Sequence, residues 1–222
     1  MSKINYHALA KEIITKAKHD PGNPRPYATG GDDDKAVDGP YQPTGIAKLD
    51  ALVQALNVHF RYGSAQAGNR LSLTGDELFR RQFFHADVVT NENHMIDMPN
   101  VANFVRADGY PSTLAHELVH WASIRDPAHN PTGHAEDEDA NGTNPGYVID
   151  ELAAEIGAGM LLRWADADPR IADRAAYVAN WLRPVPPQYQ QFAIRRAEDD
   201  ATKYVNWLTA KAPDTSKKDG EK

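Results

Sequence analysis

Apolar and polar positions along this chain follow two rhythms. Leu9, Ile13, Ile14 and Ala17 recur at the spacing of one helix face and predict a short amphipathic helix from about Asn5 to Lys18. Leu49, Leu52, Val53 and Leu56 do the same for Ala47–Leu56. Between these helices, Asp20 to Thr44 is rich in Pro, Gly and Asp and has no period, so it reads as a linker or extended arm. The rhythm then changes. Val58, Phe60 and Tyr62 alternate with His59 and Arg61, the two-residue period of a strand. Phe83–Val89 and His94–Met98 read as two more short strands, with a turn at Asn91-Glu92-Asn93 and a stop at Pro99. From Ser112 the helical period returns. It predicts helices over Thr113–Ser123, Val148–Ala165, Arg170–Leu182 and Gln188–Ala210. A polar loop from Arg125 to Pro145 separates the first two, and Pro184-Val-Pro-Pro breaks the last two apart. The expected fold is α+β: a small sheet, then a helical block. Residues 1–45 form an N-terminal helix and extended arm, 46–211 the folded domain, and 212–222 a charged, disordered tail.

Composition narrows the function classes. At 222 residues and 41% apolar content the chain can bury a real core. No apolar run is long enough to span a bilayer, so no membrane partner is expected. No apolar stretch follows Lys3, so no secretory signal is expected, and the cytoplasm of the cell that makes or receives the protein is the default location. The absence of cysteine excludes disulfides and thiolate metal sites. A net charge of -7 is the wrong sign for a chain whose task is to grip phosphate backbones, and Arg80-Arg81 and Arg195-Arg196 read as solvated faces.

One stretch carries chemistry. His116-Glu117-Leu118-Val119-His120 is H-E-x-x-H within a helical pattern. Residues four apart on a helix lie about 40° apart around the axis and one turn apart along it. Both imidazoles therefore face the same way and suit one Zn2+ ion. Glu117 stands beside the first histidine, placed to take a proton from a metal-activated water. A packed helix face carrying two histidines and a glutamate needs compensation, and a cation supplies it.

Catalytic zinc takes a third protein ligand and leaves one position open. Three arrangements compete. Asp126 stands where a metzincin places its last ligand, but Ser123 replaces the glycine of that motif. His129 and His134 lie in the polar loop. Glu151 is the favoured ligand. It lies on the next helix and is followed four residues later by Glu155, the pattern of a gluzincin, in which the first acid binds metal and the second orients a ligand histidine. Asp150 points elsewhere on that helix and reads as a solvent or outer acid.

These residues resemble the zincin-like metallopeptidase domain of ArdC-type antirestriction proteins of plasmids and phages. The resemblance runs through Ile96-Asp97-Met98-Pro99 and Phe104, then Tyr110, Thr113-Leu114 and His116 to Trp121. It continues through Tyr147, Asp150-Glu151-Leu152, Ala154-Glu155 and Gly157-Ala158, and ends with Trp181-Leu182, Ala197, Ala201, Tyr204 and Leu208. Ala122-Ser123 stands where the family usually has T-G, and Asp150 replaces a glutamate. The resemblance implies a zincin-like fold, with a small mixed sheet packed on a helical block. It also implies a zinc-dependent metallopeptidase that hydrolyses peptide bonds, with a protein or peptide substrate. His116, His120 and Glu151 would hold zinc, Glu117 would act as base, and Tyr147 or Tyr110 would steady the oxyanion. The strand at Met95–Met98 would be the edge that pairs with extended substrate. Full-length members carry an N-terminal domain linked to single-stranded DNA binding. Only about 45 residues precede the match here, so a nucleic-acid partner is not expected. The alternative is a zinc-stabilised interaction protein of a mobile element, without peptidase activity.

Overall fold

In the computed structural model the described residues are 4–23, 37–63, 68–71, 94–125 and 145–213. Helix α1 (Tyr6–His19) is opened by Asn5, whose side chain accepts from the Ala8 amide. Its buried face is Leu9, Ala10, Ile13, Ile14 and Ala17. Strand β1 (Val37–Gly39) and helix α2 (Ala47–Leu56) follow. Asp50 in the first turn of α2 gathers the chain before it, accepting from Tyr41, from Thr44 and from the Gly45 amide. Strands β2 (His59–Tyr62), β3 (Gly68–Leu71) and β4 (His94–Met98) complete a sheet of order β1-β2-β4-β3. A 3-10 turn at Val101–Asn103 leads into the helical block: α3 (Gly109–Arg125), α4 (Pro145–Trp164), α5 (Ile171–Leu182) and α6 (Pro187–Thr209).

The sheet is mixed. β2 runs parallel to β4, while β1 and β3 run antiparallel to their neighbours. Phe60, Tyr62, Ile96 and Met98 are buried, and the sheet lies against α3 through β3 and β4. Helix α4 is the hub of the block and packs on α1, α3, α5 and α6. Its residues Leu152 to Leu162 are buried on every side; all are small or apolar except Glu155, which is paired with Arg174. Among the described residues one connected apolar core joins the six helices to β2 and β4.

The helices stand within a residue or a turn of their sequence expectations, and α3 is longer at both ends. Pro111 is tolerated because it lies in the first turn, where no intrahelical partner is lost. The strands differ more. β1 forms inside the stretch read as structureless, and β3 was not expected at all. Gly68-Asn-Arg-Leu has no alternation to mark it, and its partner supplies the order. Phe83–Val89, Asn91–Asn93, the polar loop 126–144 and the tail from 214 lie outside the described residues. The expectation that Met95–Met98 is an edge is corrected. β4 is hydrogen-bonded on both sides, to β2 and to β3, so its main chain has no free face for a substrate. Among the described residues the outer strand on that side is β3.

One glycine sets the spacing of the two helices that matter most. A Cβ on Gly157 of α4 would stand 2.9 and 3.0 Å from the two γ-methyls of Val119 on α3. Gly157→Ala therefore forces α3 and α4 apart. It should cost about 1–3 kcal/mol in urea unfolding. Val119→Ala should cost less in the Gly157→Ala background than in the parent, because the added methyl fills part of the space it vacates, and a Gly157→Ala protein as stable as its parent would show that the approach is not tight.

Candidate metal centre

Helix α3 carries His116 and His120 one turn apart, as their spacing requires. Their rings meet edge to face with centroids 4.7 Å apart, and their Nε2 atoms are separated by 3.1 Å. Helix α4 brings Glu151 opposite. Its Oε2 lies 3.5 Å from His116 Nε2 and its Oε1 lies 3.5 Å from His120 Nε2. The three side chains come together from two helices, and one donor atom of each lies within 4.8 Å of the others. A tetrahedral ion with bonds of about 2.0–2.1 Å has ligand-to-ligand edges of about 3.4 Å. The two ring nitrogens are 3.1 Å apart, and each lies 3.5 Å from a different oxygen of Glu151; these separations are of that order, so the residues fit a zinc-sized cation.

The surroundings fit as well. Glu117 is buried beside His116, and Glu155 Oε1 lies 3.3 Å from His116 Nδ1, the ring nitrogen turned away from the triangle. Glu155 Oε2 in turn accepts from Arg174 Nη1 of α5 at 2.6 Å. The carboxylates of Glu117, Glu151 and Glu155 set against the Arg174 guanidinium leave an excess of two negative charges. A divalent cation, or protons on the imidazoles, cancels that excess.

The proton affinities carry the same message. Burial pushes His116 down, but Glu155 and Glu151 outweigh it and hold the imidazole up at about 10. Burial pushes Glu151 up, but the His116 and His120 rings hold it well below the carboxylate range. Burial also opposes ionisation of Glu155, and Arg174 followed by His116 reverses that and lowers it. Tyr147, a turn before Glu151 on α4, is half-exposed with its ring edge against Trp181 at 5.5 Å. Burial and then the charges of Glu151 and Glu117 raise its hydroxyl pKa, so it stays protonated and can donate.

The structure thus brings His116, His120, Glu151, Glu117, Glu155 and Tyr147 together. Tyr110 is elsewhere. It is buried among Tyr62 and Phe104 and donates to the Gln42 carbonyl at 2.8 Å, so the alternative oxyanion role for it is corrected. Asp150 is buried, not a solvent acid. Asp126, His129 and His134 lie outside the described residues. Sequence reasoning missed Arg174. Its signal was a charge on the apolar stripe of α5, in line with Ile171, Ala175, Val178 and Leu182.

The profile of a family described as a zincin-like metallopeptidase matches residues 81–199 of the 222. This chain belongs to that family. The match includes every residue of the triangle. Two Escherichia coli proteins named DNA primase TraC are 32% and 30% identical to the chain over 119 residues. That stretch is 52% of this chain but only 10% and 7% of theirs. Among solved structures, the Mn(II)-bound antirestriction protein ArdC from plasmid R388 is similar over 82% of this chain and 56% of its own. The identity there is 25% and the TM-score 0.48. The fold is that of a zincin-like α+β domain, and the donor set of His116, His120 and Glu151 is one that could hold a divalent cation. Among the described residues no helix is long and apolar enough to cross a membrane.

The shifted groups predict the pH dependence of chelator-treated protein. A lowered carboxylate adds stability above its unfolded value of 4.5, and this is lost as pH falls. The raised His116 adds stability below its unfolded value of 6.5, and this is lost as pH climbs through about 10. The same ion pairs give both limbs, so stability should peak between pH 4.5 and 6.5. Urea midpoints measured across pH should show this maximum, and a flat profile up to pH 10 would refute it.

Proposed function

We propose that this chain is a zinc-dependent metallopeptidase that hydrolyses peptide bonds in a protein or peptide substrate. The observation that carries the reading is the convergence of one donor atom each from His116, His120 and Glu151 within 4.8 Å of one another, with Glu117 buried next to His116 in the chain. Two imidazoles and a carboxylate suit zinc among divalent ions, and three protein ligands leave a position for water and substrate. A cation held there supplies Lewis acidity, lowering the pKa of a coordinated water and polarising the scissile carbonyl.

The chain's own residues do the rest. Glu117 accepts the proton of the attacking water and passes it to the leaving amine. Its charge adds to the raised proton affinity of both the His116 ring and the Tyr147 hydroxyl, which supports a position near both groups. Tyr147 donates to the carbonyl oxygen as that oxygen becomes negative. Glu155 holds the His116 ring from the far side, and β3, the outer strand among the described residues and beside α3, is the strand that would pair with an extended peptide. The net charge of -7 argues for protein rather than nucleic acid as the substrate. The relatives named DNA primase and antirestriction protein suggest that the module serves DNA-processing systems of mobile elements.

Elemental analysis and cleavage of a peptide library test this together. Purified protein should hold close to one zinc per chain, and His116→Ala and Glu151→Ala should lose it. Glu117→Gln should keep the zinc and cut at least about 100-fold more slowly. Tyr147→Phe should lower kcat by about 10-fold or more with little change in KM. A zinc-loaded wild type that cuts nothing, or cuts as fast as Glu117→Gln, would instead favour a zinc-stabilised interaction protein.

A further inference from the structure

Arg174 is a fully buried cation, 1% exposed, contributed by a helix that supplies none of the triangle. Its guanidinium forks. Nη1 donates to Glu155 Oε2 at 2.6 Å, and Nη2 donates to the Ser112 carbonyl at 2.9 Å and to the Ser112 hydroxyl. Ser112 lies on α3 one turn before His116, and Glu155 lies on α4 one turn after Glu151. One planar group therefore ties together the two helices that carry the triangle, at the turn behind it. A lysine in its place is a point charge and cannot hold both partners in a fixed plane.

The geometry points to Arg174 as a positioning residue for the metal centre. It clamps the Glu155 carboxylate against His116 Nδ1 and so fixes the ring with Nε2 turned toward His120 and Glu151. The inference rests on the metal reading proposed above. Glu155 has two oxygens and two tasks: Oε1 faces His116 and Oε2 faces Arg174. Without the guanidinium the carboxylate is free to rotate about its last bond, and the buried ring loses the partner that sets its tautomer. The effect of Arg174 on the metal must therefore run through Glu155.

That dependence is the test. Zinc affinity is measured by competition with a chromophoric chelator for wild type, Arg174→Gln, Arg174→Lys, Glu155→Gln and the double variant Glu155→Gln/Arg174→Met. Unfolding by urea is followed in parallel. Arg174→Gln should weaken zinc binding by about 10- to 100-fold. Arg174→Lys should recover only part of that loss. Glu155→Gln should show a loss of the same order, and the double variant should bind zinc no more weakly than Glu155→Gln alone, since the path is already cut. The double variant also leaves no unpaired buried charge, so it stays folded if the single Arg174 variants do not. A merely structural Arg174 would lower the urea midpoint and leave zinc affinity unchanged, which overturns the inference. Additive losses in the double variant overturn it too. A wild type that binds no zinc would overturn the metal reading and this inference with it. A wild type that binds tightly beside equally tight Arg174 variants would overturn the inference alone.

Discussion

Two imidazoles, three carboxylates and a guanidinium leave water together between α3, α4 and α5, and no one of them can be buried there alone. Each charge is tolerable only because the next is in place: Arg174 against Glu155, Glu155 against His116, and His116 and His120 against Glu151. Breaking one link leaves an uncompensated charge in a low-dielectric interior, which is among the costlier faults a fold can carry. The demand is electrostatic, so protons on the rings or a divalent cation can meet it. That interchange links proton affinity, metal affinity and stability in one site.

The fold supplies what such a chain of charges needs, which is rigidity. The site stands on helices rather than loops, and the helix bearing Glu151 and Glu155 is the most deeply buried in the protein. Gly157 lacks a side chain where α3 and α4 meet, which leaves room for the γ-methyls of Val119 between the two helices. Strands β3 and β4 also lie against α3, so the helix carrying His116 and His120 is held by the sheet as well as by α4 and α6. Helix α1 lies against α5 and α4, and Ile13 reaches Gly159 of α4. The N-terminal helix thus packs on α4, which carries Glu151 and Glu155, and on α5, which carries Arg174.

The sequence by itself determined what local periodicity can encode. His116 and His120, and then Glu151 and Glu155, are each four apart, and a helix turns that spacing into a shared face whatever surrounds it. The described helices were legible for the same reason, since apolar residues recur in them at helical spacing or, in α4, fill the helix over several turns. Only tertiary structure decided the rest, because it depends on residues far apart in the chain. Arg174 meets Glu155 across 19 residues and Ser112 across 62, and nothing in its own neighbourhood says which partners it will find. β4 is interior rather than edge because β3, a strand with no pattern of its own, pairs with it. Tyr110 and Tyr147 look alike as candidates, and packing sends one into a tyrosine cluster and the other to the mouth of the site. Spacing along a helix is fixed by backbone geometry, whereas the meeting of two helices is fixed by the whole core.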